Sequence, residues 1–520
     1  MRRRSAETGH GGDGQSRLTG PAFPPARLSA ANAEPPVPMP DRDASHQPAL
    51  SRLPPAQRRV AESLARRWRE SGEELYLVGG IVRDGLLDRP VPVDLDFTTS
   101  TLPEQTHHLA LAAGAESIFT IGERFGTIGA VFAEAAGQVV AEITTFRDEH
   151  YVDDSRFPAV RFGIGLIDDL ARRDFTANAI AVDPLTGQIV DPFGGEADIA
   201  LGVLRAVGNA DARFEEDPLR LLRAARFVAQ LGFRLEPETA AAMARCAGSL
   251  NRISIERVYG ELNRLLVGDW ADHGLEVLRE SGLLAVALPE LSPLAAEGGG
   301  AGQSQISREK DLWKHSLRVL SQSPPRLAVR WAALLHDAAK PFVRGIDEHG
   351  EVHFFGHERV GAGLARKLLR RLKADRATLE RVALLVELHG RPAAYESDWT
   401  DSAVRRLALE AGDGWDDLLD LAAADVTSGR EHKRRLAAAR VAALRAHDAR
   451  LRAEADIARL QSPLDGDELM AMFDRGPGIW IKHLKDHLRE LVIDGELAVG
   501  DKDEAEAIAH RWISAQADLP

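Results

Sequence analysis

The sequence predicts an α+β protein, a small mixed α/β head followed by a long all-α body. Between about residues 55 and 185, apolar runs of strand length (LYLVGG, IGAVF, VVAEITTF, VRFGIG, NAIAV) alternate with helical stretches. From about 210 onward nearly all of the chain has helical period, broken by the Gly-rich EGGGAGQSQ at 297 to 305 and by the pair Pro324 and Pro325. With 520 residues, 44% of them hydrophobic, there is room for several cores.

Residues 1–50 are rich in Pro, Gly, Ala and Ser without a sustained hydrophobic period, which predicts a disordered tail. The head is expected over 55–205, a helical neck and body over 206–300, a second helical module over 308–435 and a helical C-terminal tail over 436–520. No apolar run approaches the length of a membrane span, and MRRRSAETGH lacks the apolar core of a secretory signal, so a cytoplasmic address is expected. The single cysteine, Cys246, has no partner for an internal disulfide and sits in an apolar helical stretch, which excludes cysteine chemistry.

Net charge is −14, so contact with nucleic acid would have to come from local basic patches. Arg366, Lys367, Arg370, Arg371, Lys373 and Arg376 form one such run, and Arg430, Lys433, Arg434, Arg435 and Arg440 another; a solvated helix face accounts for each equally well.

The first chemistry lies in LVGGIVRDGLLDRPVPVDLDFTTS. A strand from Leu75 to Val78 runs into Gly79 and Gly80 and then into a helix near Ile81, which lets backbone amides approach a phosphate. In Val93-Asp94-Leu95-Asp96-Phe97 the strand period of two puts both carboxylates on one face and the apolar residues on the other. Paired carboxylates suit Mg²⁺, and phosphoryl transfer relies on metals clamping the attacking and leaving oxygens. Gly79, Gly80, Arg83, Asp84, Asp94 and Asp96 at this spacing resemble the opening motif of the polymerase-β-like nucleotidyltransferases, specifically the class II tRNA nucleotidyltransferase and bacterial poly(A) polymerase family.

Further motifs of that family follow in order. ERFGTIGAVF (residues 123 to 132) and AEITTFRDEHYVDDSRFPAVRFG resemble its Gly-rich turn, strand and mobile loop, with Glu142 a candidate third carboxylate. DDLARRDFTANAIAVDP matches its RRDFTxNA segment: the resemblance implies that Arg172 and Arg173 bind triphosphate while Asp174 and Asn178 orient the sugar end. In ARFEEDPLRLLRAARFVAQLGF, Pro218 opens a helix and Asp217 and Arg220 project side by side. A carboxylate accepts from an exocyclic amine and a guanidinium donates to a ring nitrogen or carbonyl, so this pair would admit C and A and reject U and G. Arg223 carries over as a nucleotide or helix-packing residue, and Arg226 reads as an ion-pairing one. NRISIERVYGELNRLL resembles the family's SxERIxxEL helix, with Glu256 and Arg257 expected to pair with each other.

In the second half, His315, His336–Asp337, His357, His389 and Asp425 arrive on successive predicted helices in the order H, HD, H, H, D, a ligand set for Mn²⁺, Fe²⁺, Ni²⁺ or Zn²⁺. This resembles the HD superfamily of metal-dependent phosphohydrolases. The match implies that His315, His336, Asp337 and Asp425 hold one metal and His357 and His389 a second. The usual HDxGK reads HDAAK here, with Ala339 in place of glycine. In related fused enzymes the domain is associated with phosphatase and 2′,3′-cyclic phosphodiesterase activity. The C-terminal SPLDGDELMAMFDRGPGIWIKHLKDHLRELVIDGEL resembles tail helices that lie along tRNA, which would bring Lys482, His483, Lys485 and Arg489 to phosphates; an amphipathic solvated face fits the same residues.

The resemblance implies an Mg²⁺-dependent enzyme that takes CTP and ATP and adds CMP and AMP to tRNA 3′ ends without a template. Restricted A-adding or CC-adding enzymes, bacterial poly(A) polymerase, and a phosphohydrolase with an RNA-binding head are the alternatives. The A-adding and CC-adding enzymes differ from full CCA addition in loop geometry, which sequence does not encode directly, known poly(A) polymerases lack an HD domain, and oligomeric state is likewise open.

Overall fold

The structure, a computed structural model, describes residues 49–90, 94–121, 126–135, 137–150, 159–162, 165–296, 311–426, 431–454, 462–498 and 500–516. The expected N-terminal tail, the tip of the expected mobile loop (151–158), part of the Gly-rich turn (122–125), the 297–305 loop, and Arg430 with the side chains of Lys433 and Arg434 lie outside the described residues.

The head is built on a mixed sheet of β1 (Leu75–Val78), β2 (Leu95–Thr99), β3 (Ser117–Ile121), β4 (Thr127–Glu134), β5 (Gly137–Thr145), β8 (Ala181–Val182) and β9 (Ile189–Val190), in the order β3-β4-β5-β2-β1-β8-β9. A separate hairpin pairs β6 (Arg147–His150) with β7 (Ala159–Phe162). β2 and β5 are parallel and every other neighbouring pair in the large sheet is antiparallel. Alternation along β2 sorts its side chains by face. Leu95 and Phe97 enter the core, and Thr99 accepts from the indole Nε1 of buried Trp68 at 2.7 Å, on the helix Pro55–Glu70. Asp96 and Thr98 point to the other face, where Thr98 donates to buried Asp169 at 3.0 Å on the helix Leu166–Ala171.

The neck centres on the helix Leu219–Leu231, whose apolar stripe packs against the helices Ile255–Leu266 and Ala271–Glu280. The HD ligands sit on or at the ends of the helices Leu312–Gln322, Leu327–Leu335, His357–Arg371, Arg376–Leu388 and Trp415–Ala424. One apolar core runs from Leu53 in the head to Leu451, while Leu464 to Ala509 form a second core of their own.

Three expectations change. Arg257 bonds Asp217 at 3.0 Å and Glu256 pairs with Lys373, because adjacent helical residues diverge around the axis instead of meeting. Half of the basic run from Arg366 is paired: Arg366 with Glu380, Arg371 with Glu290 and Lys373 with Glu256, while Lys367, Arg370 and Arg376 form no ion pair within 4.0 Å among the described residues. On the tail helix Ile479–Asp494, Arg489 pairs with Asp486.

Candidate active sites in the head and the HD module

In the head, β1 is followed by Gly79, whose φ of 75° is open to glycine and costly for other residues, and the helix Gly80–Leu86 begins at once. A Cβ on Gly79 would lie 3.5 Å from Arg173 Nη1 and 3.8 Å from Asp96 Oδ2, so the bare glycine marks the gap between the cationic and anionic walls. Asp96 lies beside Glu142 in the parallel β2–β5 register, and Asp94 stands just before β2. Burial, then Glu142, push Asp96 up to about 6, with Asp94 adding and Arg173 opposing. Glu142 is raised by burial and by Asp94. Mutually repelling carboxylates are what a cation would relieve, so the trio fits a divalent metal.

The arginines opposite are anchored from behind. Asp169 accepts from Arg172 at 2.8 and 3.0 Å and from Arg173 at 3.4 Å. Burial alone would raise Asp169, but the two arginines outweigh it and hold the carboxyl below its ordinary value. The sequence reading missed this residue. Its signal was the spacing in DDLARR, with Asp169 three and four residues before the arginines on one helical face.

Asp174 and Asn178 are engaged differently from the sugar-orienting role expected of them. Asp174 accepts from Arg223 at 2.8 and 2.5 Å and from Asn178 at 3.0 Å, and the Asn178 carbonyl accepts from Arg83 at 2.8 Å. Both side chains are buried in a network that ties head to neck through Arg223. Burial would raise Asp174, yet Arg223 and Asn178 hold it well below the usual carboxylate range. Arg83 also grips Asp84, and Arg226 pairs with buried Glu261 at 3.1 Å.

Asp217 and Arg220 stand at the start of the neck helix, where the Arg220 amide donates to the Asp217 carbonyl at 2.9 Å while their side chains turn to other partners. Asp217 caps the Leu219 amide at 3.1 Å and holds Arg257, while Arg220 bonds Glu216 at 2.8 Å and the Arg172 carbonyl at 2.7 Å. The expected base-reading pair is therefore stationed next to the RRD segment with each member on another partner.

The HD residues converge. His315 Nε2 lies 3.1 Å from Asp425 and 3.3 Å from Asp337, and His336 Nε2 is 3.4 Å from Asp337. On the other side of the same carboxylate, His357 and His389 approach Asp337 Oδ1 at 3.5 and 3.9 Å. Ligand atoms of His315, His336 and Asp337, and of Asp337, His357 and His389, lie within 4.8 Å of one another. The Nδ1 atoms of His336, His357 and His389 sit 2.8, 2.9 and 2.7 Å from the carbonyls of Ala333, Phe354 and Val386. A carbonyl only accepts, so each Nδ1 carries a proton and each Nε2 faces inward, where a cation would displace any proton it holds. Asp337 Oδ1 is buried without a hydrogen-bond partner, as an oxygen awaiting a cation would be. The donor set fits two divalent metals sharing Asp337.

Burial opposes protonation of His336, but Asp337 and Asp425 push it up to about 9; burial and His336 bring His389 down to about 4. Lys340, which the sequence reading passed over, bonds Asp337 at 2.7 Å. The HDAAK departure has a local explanation. Ala339 has ordinary right-handed backbone angles, so nothing in the backbone there calls for a glycine.

Comparison with known proteins agrees with this layout. The chain matches the models of the poly(A) polymerase head domain over 75–205, the probable RNA- and SrmB-binding site of polymerase A over 232–294, and the HD domain over 312–430. It is 31% identical over 445 residues to a CCA-adding enzyme of Geobacillus sp. (strain WCH70), covering 85% of this chain and 93% of that one. It is 38% identical over 359 residues to an A-adding tRNA nucleotidyltransferase of Deinococcus radiodurans, covering 67% and 79%. Among solved structures, the Bacillus stearothermophilus CCA-adding enzyme in complex with CTP superposes with a TM-score of 0.65 at 27% identity, over 90% of this chain and 100% of that one. No helix among the described residues is long and apolar enough to cross a membrane.

Proposed function

The chain belongs to the family of CCA-adding tRNA nucleotidyltransferases, and on that premise we propose that it adds CMP and AMP from CTP and ATP to the tRNA 3′ end without a nucleic-acid template, as a cytoplasmic enzyme. The observation that carries this is the facing of Asp94, Asp96 and Glu142 against Arg173 across Gly79, beside the neck helix that bears Asp217 and Arg220. Asp94 and Asp96 would hold Mg²⁺, with Glu142 beside them; bound there, Mg²⁺ supplies Lewis acidity and alignment of the triphosphate. Arg172 and Arg173, held rigid by Asp169, grip the β and γ phosphates, and the Gly79–Gly80 backbone lets the chain close on them. The tRNA 3′ oxygen bonds to the α-phosphorus as pyrophosphate departs. Asp217 and Arg220 read the base after leaving Arg257 and Glu216. The Asp174–Arg223–Asn178–Arg83 network holds that helix at a fixed height over the phosphates.

For the HD module we infer a phosphohydrolase acting on RNA ends with a divalent transition ion such as Ni²⁺, Mn²⁺, Fe²⁺ or Zn²⁺. Asp337 would bridge, His315, His336 and Asp425 would complete one site, and His357 and His389 the other. Lys340 orients the shared carboxylate.

The A-adding reading stands second, because the Deinococcus radiodurans relative carries that activity in its name. Incorporation of CTP and ATP, separately and together, on transcripts ending before the first C, after it and after the second C distinguishes the readings. Completion to CCA followed by arrest supports the proposal. A added only after the second C means an A-adding specialist, and unlimited A tails a poly(A) polymerase.

A further inference from the structure

Beside the HD ligand cluster stands an aromatic platform that metal ligation does not explain. The chain leaves the HD pair through the single-turn helix Lys340–Val343, forms a hairpin of Gly345–Ile346 against Val352–His353, and returns through Phe354, Phe355 and Gly356 to His357. Gly345 faces His353 so closely that a Cβ there would meet the imidazole at 2.2 Å; the ring fills the place of the missing side chain. Phe355 stacks on that ring, with centroids 4.3 Å apart and planes inclined by 24°. Phe355 is nevertheless 80% exposed, so one face is supported and the other open. Its neighbour Phe354 lies under the Lys340 ammonium at 5.6 Å, and Lys340 in turn holds Asp337. Gly356, with φ of 74°, makes the reversal that sends Phe355 outward and His357 into the metal-binding cluster.

A ring braced on one face and open on the other, two residues from a phosphate-ester site, has the form of a base-stacking surface. The Cα atoms of Phe355 and His357 are at most about 7 Å apart along the chain, comparable to the separation of base and phosphate within a nucleotide. We propose that Phe355, backed by His353, stacks the nucleobase of a nucleotide or RNA 3′ end whose phosphate lies at Asp337, so that the HD substrate is a nucleotide rather than a simple phosphate ester. The proposal rests on the phosphohydrolase reading of this module. Stacking tolerates every base, so a uridine nucleotide, which the head is built to reject, should bind here.

The full-length protein with Mn²⁺ is given uridine 2′,3′-cyclic phosphate: water attacks phosphorus, one P–O bond to the ribose breaks, and the released oxygen takes a proton. Phe355→Ala is expected to raise KM about tenfold with kcat within about twofold, the loss of one base stack, and Phe355→Trp to restore KM. In parallel, saturation-transfer NMR on the EDTA-treated protein reads the uracil H5 and H6 protons, expected to receive magnetisation in the wild type and to lose it in Phe355→Ala. Transfer without hydrolysis in the wild type would keep the stacking site and sink the hydrolase reading. A wild type without transfer, or a Phe355→Ala variant that keeps both transfer and KM, or that loses kcat alone, would overturn the platform. CMP incorporation by the head, unchanged in Phe355→Ala, shows that the variant is folded.

Discussion

The head and the HD module present their acids in opposite ways. In the HD module the imidazoles converge on buried Asp337, and three of the rings are fixed by a backbone carbonyl, so the side chains are assembled by the fold itself. In the head three carboxylates share an open edge, one of them pushed up to about 6 by burial and its neighbours, and the cationic side lies across a bare glycine. A hard cation bound through a few carboxylates and substrate phosphates suits the second arrangement, and a softer ion in an all-protein cage suits the first. The head is completed by its substrate; the HD site is completed by the fold.

The largest expected effect separates the two outright. Asp96→Ala should lower CMP and AMP incorporation on the order of 10³-fold or more, about 4 kcal/mol of barrier, while leaving hydrolysis of a cyclic nucleotide in place; His336→Ala should do the converse, as steady-state rates of both reactions would reveal. Next comes the buried clamp between head and neck. Asp174→Asn should cost about 3 kcal/mol, read by denaturant unfolding, because Arg223 is left charged and unpaired. Since the folded carboxyl titrates well below its unfolded value, the wild-type advantage should be full above about pH 4 and fade only as pH falls toward the depressed native value.

Metal removal sharpens the contrast. Mn²⁺ at a hundredfold excess over its dissociation constant should stabilise the protein by about 2.7 kcal/mol without any nucleotide and raise Tm, with EDTA reversing it. Mg²⁺ alone at the same concentration should leave Tm nearly unmoved until CTP is added; an equal shift without CTP would show that the head site is also preformed. In pH, Mg²⁺-dependent CTP binding should weaken below about 6, where Asp96 gains a proton that competes with the cation, and titration calorimetry from pH 5 to 8 would show it. Smallest is Arg257→Ala, which frees Asp217 from its resting partner and should lower KM for ATP by roughly twofold, a surface ion pair's worth.

Much of this was legible in the sequence because its signals are local. The strand over Leu75–Val78, the glycine turn, the alternation at Asp96 and the Pro218 helix start follow from periods and caps that neighbouring residues enforce. The HD ligands were legible as an ordered series although they sit on separate helices, since few other uses call for that series. What sequence could not give was partner choice across distance. Asp174 finding Arg223, Arg257 finding Asp217 instead of Glu256, and Arg371 finding Glu290 depend on how helices pack, which spacing along one helix does not report. Behind the sites, Asp169 reaches its arginines in plain i,i+3 and i,i+4 steps but stands outside the RRDFTxNA string, while Lys340 closes the HDAAK string and its i,i+3 step to Asp337 gives it a partner that the string alone does not name.

The tail's separate apolar core has a consequence for how such a chain is inherited. Packing from Leu464 to Ala509 is largely internal, and the segment meets the rest of the chain where the helix Ile479–Asp494 lies on the helix Asp401–Ala411, with Arg406 bridging to Asp494. A segment that carries its own core places little demand on what it adjoins. The tail should therefore tolerate being shortened, replaced or recharged, while the nucleotide-handling body, whose main core runs from Leu53 to Leu451, has to change in concert.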